Sequence, residues 1–295
     1  MRTISKESKI KCKLLILFVV AALAALLCPP LASATPILGS DLASFAVLGA
    51  TTVTNNPTST IGGNVGVWPG TAITGGAGIV FSSGSLQANT SLAVSAQGQL
   101  TTAIANLGSM AAGATQLSSS ELAGVTLFPG VYSFSTFAGG FATLTGTPTS
   151  PGILTLNGLG NADAAWVFEI DSTLVTSAAF TATTPSSVVN VINTGSGASL
   201  FWNVGSSATI GTYSTFEGNI LAHTSITLET GATIDCGRAL AKTAAVTMDQ
   251  NTISSTGCGG YGLSGTPVPE PATMLLLGSG LAGLVAFRKR LFKKA

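Results

Sequence analysis

The chain of 295 residues is short of charge: 12 Lys and Arg and 11 Asp and Glu make up 8% of it, against about a quarter in ordinary soluble domains. The cations it has lie at its ends. Arg2, Lys6, Lys9, Lys11 and Lys13 open the sequence, and Arg288, Lys289, Arg290, Lys293 and Lys294 close it. Only Arg238 and Lys242 lie between. From residue 35 to 266, two cations face nine acids, a net charge of −7 with His223 neutral. That excludes a nucleic-acid binder, which needs basic residues clustered on its working surface. Imidazole is scarce too: His223 is the single histidine, set in Ala222-His223-Thr224 and read as lying on a strand. No nucleophile-elbow signature accompanies it, so a hydrolase triad is not expected. Asp163 falls in a loop, while Glu169 and Asp171 stand two apart on a strand and so share a face. They read as solvated strand and turn acids rather than a glycosidase pair. No catalytic residue, cofactor or metal site is expected, and the chain is not expected to be an enzyme.

Cysteine is also sparse, with four in all. Cys12 and Cys28 fall in the leader described below. Cys236 and Cys258 remain, an even number for an oxidising compartment, and are expected to pair. A metal site would need more ligands than these two and His223. Closing a loop of about twenty residues, the bridge would stabilise by roughly 3 kcal/mol on the chain-entropy account.

The ends carry addresses. Residues 1–13 are basic, 14–27 are apolar, and Ala32-Ser33-Ala34 is a small-x-small cleavage site, the pattern of a secretory signal peptide spanning 1–34 and cut between Ala34 and Thr35. Pro29 and Pro30 end the apolar run too early for a comfortable membrane helix. Leu27 before Cys28 argues against a lipobox, which needs a small residue there. At the other end stand Val268-Pro269-Glu270-Pro271, an apolar stretch 272–287 and Arg288-Lys289-Arg290. Sixteen residues make about 24 Å of helix, short for a bilayer core of ~30 Å, and the basic cluster would stay cytoplasmic. This tail, 268–295, resembles the PEP-CTERM sorting signal of Gram-negative bacteria. The resemblance implies processing by an exosortase after signal peptidase, a transient inner-membrane anchor, and a final location outside the cell or on its surface.

The middle, 35–262, followed by a linker at 263–267, is rich in Gly, Ala, Ser and Thr. It breaks into short β-segments bounded by turn residues, among them 46–48, 152–156, 165–170, 187–192, 199–204, 219–222 and 225–228. From Ser187 they recur about every ten residues, which fits a sandwich, a barrel or a solenoid, without a fixed sequence period. Residues 85–112 show no strand signal. There Leu92, Ala96, Leu100, Ile104 and Leu107 recur at helical spacing, opposite Gln97, Gln99, Thr101 and Asn106, and predict one amphipathic helix ending near Gly108 or Gly113.

Seven stretches in order, DLASFAVLG (41–49), IGGNVGVWP (61–69), LAGVTLFPGVY (122–132), AWVFEIDSTL (165–174), FWNVGSSATI (201–210), FEGNILAHTSIT (216–227) and GRALAKTAAVTMDQNTI (237–253), resemble the ice-binding-like (DUF3494-type) domain. The resemblance covers about residues 40 to 255. It implies an all-β fold with one long helix: an irregular right-handed β-solenoid of triangular cross-section, the helix alongside and an N-terminal coil packed beside C-terminal ones. It also implies adsorption to ice through a flat Thr/Ser/Ala-rich face. Such a face needs short, stiff side chains offering methyls and hydroxyls together, and Thr is β-branched and at home on strands. Charges would hold their own hydration shells. Family members carry Thr-Ala/Gly-x-Thr/Asn on the ice face. Here that pattern falls at Thr71 to Thr74, Thr181 to Thr184 and Thr230 to Thr233, with Thr243, Thr247 and Thr252 as further candidates. The alternative is a non-catalytic matrix or adhesion protein whose partner is exopolysaccharide or a cell surface.

Overall fold

Parallel strands stacked one coil above the next build the molecule. The computed structural model describes residues 37–134, 139–147, 150–179, 185–195 and 197–255. Every pairing between named strands is parallel. The coil 45–62 shows the plan: Phe45–Gly49, then Thr52–Asn56, then Ser59–Gly62, one strand for each of three faces, before the next coil opens with Asn64–Val67. One face is a seven-stranded sheet. The other two belong to one fifteen-stranded sheet, which turns the corner where long strands such as Thr233–Ala241 pass a register shift near Gly218 and Gly237.

Chain order is not coil order. Thr52–Asn56 pairs with Val246–Asp249, and Thr252–Ser254 pairs with Ser59–Gly62, so the N-terminal coils continue the stack after the C-terminal ones. Arg238 joins the two. Its Nε and Nη2 donate to the Ala43 carbonyl at 3.2 and 2.7 Å, and its Nη1 donates to Asn219 at 2.8 Å. Ala43 closes the short helix α1, Ser40–Ala43.

The inner side chains are apolar and stack in columns. Tyr132, Phe168, Trp202 and Phe216 stand on successive coils, with ring centroids 5.6, 4.1 and 5.0 Å apart. The long helix α2, Ser91–Met110, covers one face of the solenoid. Thr90 caps it, accepting from the Ala93 amide, and a 3₁₀ turn, Ala111–Gly113, follows. Ala93, Ala96, Leu100, Ala103 and Leu107 pack on Phe45, Leu48, Val167, Phe201, Leu221 and Leu240. Two expectations change here. Gln97, placed on the wet face by periodicity, is 4% exposed and donates to the Ala241 carbonyl at 3.1 Å. The segment before the helix also contributes a strand, Leu86–Ala88, against Asn64–Val67.

Replacing Trp202 by Ala removes the middle of the aromatic column. It should cost about 3–5 kcal/mol, the range for large aromatics deleted from tight cores, read as a lower denaturant midpoint. An unchanged midpoint would contradict the assignment of that column to the core.

Candidate functional site

On the seven-stranded face the alternation of inward and outward residues fixes what solvent meets. In Ile226–Leu228 the two apolar ends are buried and Thr227 points out; Ala208–Ile210 does the same with Thr209. Parallel pairing in register then lines the outward residues up. Thr74 stands beside Thr54, Thr54 beside Thr247, and Thr247 beside Thr227. Thr227 is followed by Thr209, Val175 and Thr143. The result is one column of six threonines and a valine, the apolar near-isostere of threonine, across all seven strands. At ~4.8 Å per strand it runs about 29 Å.

The hydroxyls of Thr54, Thr74, Thr209, Thr227 and Thr247 have no protein partner among the described residues. The column stops at an acid: Thr143 donates to Glu121 at 3.1 Å. The Glu121 carboxyl feels burial, which raises its pKa, but hydrogen bonds from Thr145, Ala123 and Thr143 outweigh it and hold it below its ordinary value. Beside the column, Thr52 pairs with Ala72, and the Ser207 and Ser225 hydroxyls meet at 2.9 Å. Along the other margin the acids are tied down: Asn56 donates to Asp249 at 2.8 Å, Thr230 also donates to Asp249, and Thr212 donates twice to Glu229 at 3.1 Å.

A second column runs on the third face: Val80, Thr60, Thr252, Thr233, Thr215, Val188 and Ile153. Acids border it as they border the first: two residues beyond Thr215 and Thr233 come Glu217 and Asp235, as Glu229 and Asp249 come two beyond Thr227 and Thr247. Its make-up differs, with four threonines and three aliphatics in place of six threonines and a valine. Burial and the neighbouring Asp235 charge push the Glu217 carboxyl up to about 7.

The expected site residues scatter. Thr74 and Thr247 are on the long column. Thr71 is exposed just before Ala72–Thr74. Thr230 sits in a turn, bound to Asp249. Thr233 and Thr252 are on the third face. Thr243 lies in a turn and donates to the His223 carbonyl at 2.6 Å. Thr181, Thr184, Ala34, Thr35, Cys258, Pro269, Glu270, Pro271 and the span 272–287 lie outside the described residues. Cys236 is disulfide-bonded. Among the described residues no helix is long and apolar enough to cross a membrane. His223 is in an exposed turn, not on a strand. Glu169 and Asp171 do not share a solvated strand face: the strand ends at Ile170, Asp171 is exposed, and Glu169 is 5% exposed. Asn203, which contacts the α2 backbone at Ile104, donates to Glu169 at 2.7 Å. Burial, and secondarily the Asp171 charge, raise the Glu169 carboxyl to about 7 against the Asn203 hydrogen bond.

Periodic sequence motifs missed Thr54, Thr209 and Thr227 because the column repeats once per coil, at irregular chain intervals. The signal that finds Thr209 and Thr227 is the x-Thr-x centre of a short apolar triplet, Ala-Thr-Ile and Ile-Thr-Leu; Thr54, in Val-Thr-Asn, carries no such signal.

Fold and face together define a class, a parallel β-solenoid presenting an in-register array of small side chains. The chain belongs to the ice-binding-like family, whose model matches residues 47–254. The PEP-CTERM protein-sorting motif matches residues 267–290. An ice-binding protein of Nostoc sp. (strain HG1) is 41% identical over 288 residues, 97% of this chain and 98% of its own length. One from Colwellia sp. is 32% identical over 232 residues, 73% of this chain and 82% of its own. The crystal structure of an ice-binding protein from the Antarctic ascomycete Antarctomyces psychrotrophicus superposes with a TM-score of 0.62 at 33% identity, covering 75% of this chain and 98% of that one.

The two raised glutamates give a pH dependence. Their folded pKa values, about 7, lie above the ordinary 4.5, so the folded state holds protons more tightly than the unfolded one. Their stabilising contribution is therefore complete below 4.5 and is lost as pH rises through 7. Denaturation midpoints should fall from pH 5 to pH 8, and the double variant Glu169→Gln with Glu217→Gln should flatten that slope. An equal slope in the variant would contradict the assignment.

Proposed function

We propose that this is an exported, non-catalytic ice-binding protein that adsorbs through the threonine column of its seven-stranded face. The observation carrying the reading is that column: in-register side chains, six of the seven offering a methyl and a hydroxyl together, on a backbone held by parallel ladders. Water caught between neighbouring threonines meets a repeat of ~4.8 Å along the stack and about 6.7 Å along each strand, two residues on. The methyls order water and the unpartnered hydroxyls anchor it, so the face carries a layer that merges with the crystal. Threonine is stiff at χ1, and little side-chain entropy remains to be lost on contact. Val175 keeps the methyls where one hydroxyl is absent. The third face is the poorer candidate, because its column carries four threonines and three larger or hydroxyl-free aliphatics, Val80, Val188 and Ile153, against six threonines and one valine on the seven-stranded face.

Export is supported by the sorting motif and by the leader pattern of residues 1–34, with domain 35–262, linker 263–267 and sorting segment 268–295 as the working division. Exosortase processing, with a transient anchor in the inner membrane of a Gram-negative cell, follows from that motif. The similarity to ice-binding proteins supports a binding rather than a catalytic role. Pairing of Cys236 with Cys258 is part of the same reading.

The purified chain should shape ice crystals and inhibit recrystallisation. Thr227→Tyr, mid-column, should abolish shaping while leaving the denaturation midpoint close to that of the parent. Thr243→Tyr, in a turn off the column, should leave shaping intact. If the parent leaves crystals as unshaped discs yet binds the host's exopolysaccharide, adhesion replaces ice as the function. If both variants shape ice like the parent, the site is elsewhere.

A further inference from the structure

The three-faced coil has a corner opposite the threonine column, and the described chain ends there. Between the third-face strand Ser59–Gly62 and the helix-covered strand Asn64–Val67 lies Gly63, the corner away from the seven-stranded face. Ser255, the last described residue, is held at that corner. Its amide donates to the Gly62 carbonyl at 2.9 Å and its hydroxyl to the same carbonyl at 2.6 Å, and it is 3% exposed. The exit point is therefore fixed by buried hydrogen bonds. Cys236 lies at the same kind of corner, between Ile234 on the third face and Gly237 on the helix-covered one, and it is disulfide-bonded. The beginning of the described chain is on the helix side as well, with Ile37 and Leu38 buried in the cluster under α2. Both ends of the described chain therefore lie away from the seven-stranded face. The sorting motif starts at residue 267, twelve positions after Ser255.

We infer that the protein adsorbs to ice while still tethered through the segment beyond Ser255, its threonine face pointing away from the attachment so that whatever carries it is held against ice. This rests on the proposed ice-binding face and adds to it the direction of presentation. A tether rooted on the seven-stranded face, or at either of its margins, would press the column against its own support. Rooted at the opposite corner, it leaves the whole column free, and the stiffness of the stacked coils keeps the face turned outward.

The test couples the full chain to streptavidin beads through a single biotin at its C-terminal end. Parent-coated beads should be retained on an ice surface through rinsing just below the melting point, and Thr227→Tyr beads should be lost. The uncoupled parent, assayed for crystal shaping, separates the two ideas. If the free chain shapes ice but the C-terminally coupled beads rinse off like the variant, tethered presentation is wrong and the ice-binding face stands. If the free chain does not shape ice, both fall.

Discussion

In-register parallel stacking is the constraint on which the rest of this molecule depends. Once strands lie one above another at ~4.8 Å, a residue chosen in one coil faces the same position of the next, and columns rather than single residues become the unit of design. Inside, the rule permits stacked rings from Tyr132 to Phe216 and buried branched aliphatics beneath the threonine face, such as Val53, Val246 and Ile226. Outside, it penalises charge. Two like charges one strand apart repel by about 1 kcal/mol even at the dielectric of water, and a column of them repeats that cost at every step. Threonine suits such a column: it is uncharged, favours strands and tolerates its own neighbour. The scarcity of charge is therefore a property of the scaffold as well as of the face.

Where the scaffold admits polar groups inside, it gives them a structural task. Arg238 holds α1 to a coil formed by the far end of the chain, and Asn219 accepts its third contact. Gln97 links the helix to the Ala241 carbonyl. Glu169 and Glu217 are exceptions, each with one buried oxygen lacking a partner, and their raised pKa values are the electrostatic consequence of being covered by the surrounding protein. Through Arg238 and Gln97, buried polarity in this chain serves registration of the parts.

Much of the fold was legible in the sequence and the site was not, for one physical reason. Strands such as Ala165–Ile170, Ser187–Ile192 and Ser199–Val204 announce themselves through local composition, and the helix through its 3- and 4-residue spacing. Both signals are local. The threonine column is assembled by coils whose lengths differ, so its members lie 18 to 20 residues apart from Thr209 to Thr247 and from Thr54 to Thr74, and much farther apart elsewhere. Thr54 reaches Thr247 only because the N-terminal coils stack last. The short Thr-x-x-Thr patterns found Thr74 but also led to Thr230, which serves a turn acid, and Thr233, which faces another side. Glu169 and Gln97 misread for a related reason: burial by a distant element is invisible to periodicity.

The account's central claim is that ice meets the column on the seven-stranded face and not the similar column on the third. The most direct measurement is thermal hysteresis across two matched sets of single lysine substitutions. One set changes Thr54, Thr247, Thr227 and Thr209 in turn; the other changes Thr60, Thr252, Thr233 and Thr215. The account predicts large losses throughout the first set, deepest at Thr227 and Thr247 in its middle, with activity near that of the parent throughout the second. Equal losses in both sets, or losses confined to the second, would contradict it.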